Sequence, residues 1–189
     1  MKRIDVGIGV ALAVLSVLGV ILSMRRRAEK DTDPIDGGVV KRHWDDMPKV
    51  IESTEIVEFH CTISLLAAAD TEEMGHRVYK LDAVLKDEEV QVKYDWYERQ
   101  GKSDKAEYRA DADFMVRLQE IVAYHDFAQH NGYSHTVSGL PDMYGERIDI
   151  VYASGERIYV HDNQSGFLGR EAQKKLIALF GAATKMETE

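Results

Sequence analysis

The sequence predicts an α+β domain of two layers, a mainly antiparallel five-stranded sheet with two helices in the order β-β-β-α-β-β-α, preceded by one N-terminal transmembrane helix. Three observations predict it. Five stretches alternate apolar and polar residues, two others repeat apolar residues every three or four positions, and the first 24 residues are far more apolar than the rest.

The leading element is Val6 to Met24, 19 residues without a charge. About 20 apolar residues suffice to cross a hydrocarbon core, so residues 1–24 are expected to be a membrane anchor that contacts the lipid bilayer through residues 6–24. A cleaved signal peptide fits less well, because the apolar run is long and no small-x-small cleavage site precedes Arg25. Arg25, Arg26, Arg27 and Lys30 outweigh Lys2, Arg3 and the amino terminus, which favours a single-pass protein with its domain on the cytoplasmic side. Gly7 with Ala11 and Gly9 with Ala13 are four apart, a spacing that lets helices pair as a homodimer, although Gly and Ala are common in spanning helices for other reasons.

Residues 25–48 are charged, carry Pro34, Gly37, Gly38 and Pro48, and show no periodicity, so they are expected to form a flexible linker. Trp44 is its one large apolar residue, placed either at the membrane interface or against the domain. The globular domain is expected over 49–184, with a disordered tail at 185–189.

Within that domain Val57, Phe59, Cys61, Ile63 and Leu65 alternate with polar residues, as a strand with one buried face requires. Tyr79 to Leu85 and Val90 to Trp96 repeat the pattern, and the short charged link Lys86 to Glu89 joins them as a hairpin. The chain is then polar to Asp111, where Asp111 or Asp113 can cap a helix bearing Phe114, Leu118, Ile121, Val122 and His125 on one stripe. Asn131-Gly132 is expected to end that helix. The loop GLPDMYG follows, then a hairpin of 148–152 and 158–160, and a final helix whose stripe is Leu168, Ala172, Leu176, Leu179 and Phe180.

Composition limits the chemistry. The chain of 189 residues has net charge -9, and residues 49 to 189 alone carry 16 Lys/Arg against 26 Asp/Glu. So acidic a domain, with no basic run, lacks the footprint of nucleic-acid binding. Cys61 is the only cysteine, which excludes an intramolecular disulfide and a Cys-based zinc site within one chain. The sequence holds no GxSxG, GxxxxGK[ST], GxGxxG or HExxH pattern and implies no cofactor.

The residual candidates are few. His125, His130 and His135 are the densest metal-ligating set, yet His125 and His130 lie about 140° apart on a helix, so one packed and two solvated histidines is the plainer account. Asp142 and Tyr144, from the GLPDMYG loop, can project into a pocket, and His161, Asp162 and Asn163 precede the last helix, where exposed N–H groups can bind an anion. A shaped crossover and a helix cap are the plainer accounts of these two segments.

Asn131-Gly132, GLPDMYG, YASGERIY at 152–159, Asp162-Asn163-Gln164 and Phe167 together resemble a group of uncharacterised bacterial proteins that share this string of turns. The resemblance implies the domain's C-terminal boundary and carries no activity. The expected function is therefore a membrane-tethered, non-catalytic interaction or accessory domain with a protein partner or a second copy. The alternatives are a metal- or small-ligand-binding sensor, and a hydrolase using the histidines after residue 124.

Overall fold

The structure is a computed structural model that describes residues 38–44, 46–66, 76–99, 101–139 and 145–182. The described residues all belong to one compact unit, Asp36–Glu189. The expected anchor, the first part of the expected linker and the expected tail lie outside the described residues. No helix among the described residues is long and apolar enough to cross a membrane.

The expected fold class is corrected in its sheet. Among the described residues eight strands form one mixed sheet where five were expected: β1 (Val39–His43), β2 (Ile56–Ser64), β3 (Arg77–Lys86), β4 (Glu89–Glu98), β5 (Ser103–Ala110), β6 (Tyr133–Val137), β7 (Glu146–Tyr152) and β8 (Arg157–Asp162). Their spatial order is β1-β6-β8-β7-β2-β3-β4-β5. Every neighbouring pair is antiparallel except β6 with β8, which run parallel over Ser134↔His161 and His135↔Asp162. The five expected strands coincide with β2, β3, β4, β7 and β8. Those added are the two edges, β1 and β5, and the strand beside β1.

The physical reason is that these three lack a clean apolar face. β1 reads VVKRH and is almost wholly exposed, although it falls in the stretch expected to be linker. β5 reads SDKAEYRA, and only Ala106, Tyr108 and Ala110 turn inward, each half-buried. Backbone pairing with β4 along its whole length holds it, together with the Tyr108 hydroxyl, which donates to the Phe180 carbonyl at 2.7 Å.

Two helices, α1 (Asp113–Tyr124) and α2 (Arg170–Gly181), cover one face. Phe59, Cys61 and Ile63 of β2 are buried there with Leu81 of β3 and Ile148 and Ile150 of β7, beneath Leu118 of α1 and Leu176 of α2. Phe180 joins the layers, its ring 5.7 Å from that of Phe59 and 5.1 Å, edge-on, from Phe114. The helix ends depart from expectation. The N-cap position of α1 is Ala112, with no side-chain cap bond, so neither Asp111 nor Asp113 serves. It stops at Tyr124, and a 3-10 turn (Phe127–His130) carries the chain on to Asn131.

The segment leading into β2 is strapped to the domain. Trp44 donates its backbone N–H to the Gly132 carbonyl and sets its ring edge-on to Tyr159 at 6.1 Å. The fully buried Asn131 donates through Nδ2 to Pro48 O and Arg157 O, and its Oδ1 accepts from Tyr159 N. Glu156 accepts from the N–H groups of Glu52 and Ser53 at 3.0 Å each. Of the two places offered for Trp44, the structure shows the domain.

Candidate functional site

Among the described residues no helix covers the other face of the sheet, and the strand order brings one row of polar side chains together on it. The register pairs Thr62 of β2 with Lys80 of β3 on one side and Arg147 of β7 on the other, and Arg147 with His161 of β8. Neighbouring strands stand about 4.8 Å apart, so the row Lys80, Thr62, Arg147, His161 spans four strands. Two adjoining depressions of about 200 and 240 Å³ lie over it, both lined by Thr62, Lys80 and Arg147.

Aromatic rings, not carboxylates, support the two exposed cations. Lys80 Nζ lies 5.8 Å from the centre of the Tyr97 ring, and the Arg147 guanidinium 5.5 Å from that of Tyr159. A ring face attracts a cation without neutralising it. Among the described residues neither cation has a carboxylate within ion-pair distance. Two of the nearby acids, Asp82 and Asp149, are engaged elsewhere. One row along, Asp82 Oδ1 lies 2.6 Å from His60 Nδ1, and Asp149 takes a two-pronged contact from Arg157 at 2.7 and 2.5 Å. Asp95, cross-strand from Lys80, is out of ion-pair reach, and its buried Oδ1 has no hydrogen-bond partner among the described residues.

Glu146 and Asp162 border the first depression, but their oxygens serve the fold. Glu146 accepts from Phe167 N, Leu168 N and Gln173 Nε2 at 2.6–2.7 Å. Burial pushes its carboxyl above the usual range, against those three hydrogen bonds, and nearby Asp162 adds to the rise. Asp162 accepts from Gln164 N, Ser165 N and Ser165 Oγ. Burial alone would raise its carboxyl, and these bonds, with one from His135, outweigh it and hold the group below the usual range. Gly145 is required beside them: its φ is +136°, and a Cβ there would sit 1.9 Å from the Asp162 carbonyl oxygen.

The sequence candidates scatter. His161 joins the open-face row. Asp162 does not cap α2, whose N-cap Gly169 has no side-chain bond; it caps the turn before it. Asn163 clips β6, its Oδ1 accepting from Val137 N at 2.9 Å and its Nδ2 donating to Val137 O. Asp142 and Tyr144 lie outside the described residues. His125 follows the end of α1 with its Nε2 buried and unpartnered, His130 packs on Phe167, and His135 Nδ1 is 3.3 Å from Asp162. Among the described residues no group of three or more His, Cys, Asp or Glu is placed to hold a metal ion. Cys61 points into the core, where burial drives its thiol pKa well up.

Thr62, Lys80 and Arg147 are not legible as a site in the sequence. Each is an ordinary polar position of an alternating strand, and only the order β3-β2-β7-β8 makes them neighbours. Comparison with protein-family models, curated proteins and solved structures finds no match to this chain.

Proposed function

We propose that this protein is a membrane-tethered, non-catalytic binding domain whose working surface is the open face of the sheet. One observation carries the reading: the row Lys80, Thr62, Arg147, His161 lies across four strands under two shallow adjoining depressions, with its two exposed cations unspent. Shallow, polar and rigidly backed, such a surface suits recognition rather than a water-excluded reaction. Residues 6–24 would supply the bilayer contact, and their small-residue spacing offers a route to pairing of two copies.

The test uses the full chain in detergent, screened by amide NMR against small anions, amino acids and sugars, and in parallel for hydrolysis of model esters. Binding that shifts amides of β2, β3 and β7, is lost in Arg147→Ala, and occurs without turnover supports the reading. Turnover abolished by His60→Ala, or shifts confined to the helical face, would overturn it.

A further inference from the structure

We propose that the row on the open face is a phosphate site, in which Lys80 and Arg147 close from either side on a tetrahedral oxyanion seated over the Thr62 hydroxyl. The proposal rests on the open face being the binding surface, and it adds the ligand's chemical class. Lys80 and Arg147 both pair across strands with Thr62, one on each side of β2. At about 4.8 Å per strand their Cα atoms stand roughly 10 Å apart, a gap that two long side chains can close around one ion.

Three kinds of donor then converge from three directions. The planar guanidinium offers paired N–H groups, the ammonium a compact charge, and the hydroxyl a donor from the floor. A planar carboxylate is satisfied by the guanidinium fork alone, whereas a tetrahedral ion presents oxygens to all three. Free charge is the second argument. In a domain as acidic as this one, exposed cations ordinarily meet carboxylates, yet Lys80 and Arg147 rest near Tyr97 and Tyr159. Asp82 and Asp149, the acids nearest along the strands, are taken by His60 and Arg157, and Asp95, across from Lys80, stays beyond ion-pair reach of it. His161 continues the row on the far side of Arg147.

Either free phosphate or a phosphate monoester on a lipid headgroup would present this chemistry. Full-length protein in detergent is titrated with inorganic phosphate and followed by amide NMR, and is then floated with phosphatidylcholine vesicles with and without phosphatidic acid. Saturable phosphate shifts at β2, β3 and β7 are expected, weakened at least tenfold in Lys80→Ala and in Arg147→Ala and several-fold in Thr62→Val. Lys93→Ala, on an exposed neighbouring position, should bind as the wild type does. Co-flotation that requires both phosphatidic acid and Arg147 assigns the lipid source, and phosphate shifts without it assign a soluble ligand. Phosphate binding that survives loss of both cations overturns the proposal. A wild type that ignores phosphate but binds another ligand on this face overturns the phosphate assignment and leaves the binding surface standing. If nothing binds the face, both fall.

Discussion

Asn131 uses every polar atom of its side chain within the domain interior, joining the strap at Pro48 to β8 at Arg157 and Tyr159. An alanine there leaves a buried N–H and two carbonyls without their partner, so Asn131→Ala should cost about 2–3 kcal/mol in urea unfolding. An unchanged midpoint would show that the strap contributes little. Acid stability also belongs to single residues. Burial lowers the pKa of His130 below its ordinary 6.5, with Lys49 adding and Asp126 opposing, so the unfolded chain takes this proton first. Stability therefore falls as pH drops through about 6.5. Asp162, held below the usual range, adds a second loss below about 4. Glu146 acts in the opposite sense, because its raised pKa makes the folded form the better proton acceptor just above 4.5. His130→Gln should flatten the profile between pH 7 and 5.5 while leaving the loss below pH 4, as measured by thermal melts across pH.

At the scale of elements, the β3–β4 hairpin turns on Asp87 and Glu88, both left-handed at φ 49° and 69°, the geometry of a type I′ turn built without its usual glycine. Glu88→Gly should relieve that conformation and stabilise the protein by about 0.5–1 kcal/mol in chemical denaturation; a loss would mean that glycine's extra chain entropy outweighs the strain. The same hairpin shows what the sequence makes legible. Tyr79 to Leu85 and Val90 to Trp96 alternate because one face must be buried, and period two survives in the residue string. β1, β5 and β6 answer to a different force, backbone pairing at or near an edge, which any residue but proline can supply and which leaves little mark on side-chain pattern. The candidate site was hidden for a related reason. Alternation tells which face Lys80 and Arg147 occupy, but not that β2 separates them.

At the largest scale, the described residues form a sheet covered by helices on one face, so the apolar core and the proposed binding surface lie on opposite faces. The proposed anchor belongs to this scale. Full-length chain should sediment with membranes after lysis and a chain beginning at Asp36 should not; recovery of the full chain in the supernatant would remove residues 6–24 from the proposal. The rim of the sheet has a mechanical meaning as well. β1 meets β6 through five residue pairs that open one after another from Val39, and behind them stand the Asn131 and Glu156 fastenings. Traction on the chain ahead of Gly38 would thus unzip a short ribbon first, paying out roughly 15 Å of extended backbone, and then stop hard at the knot, so that the strands bearing Lys80 and Arg147 keep their shape under load.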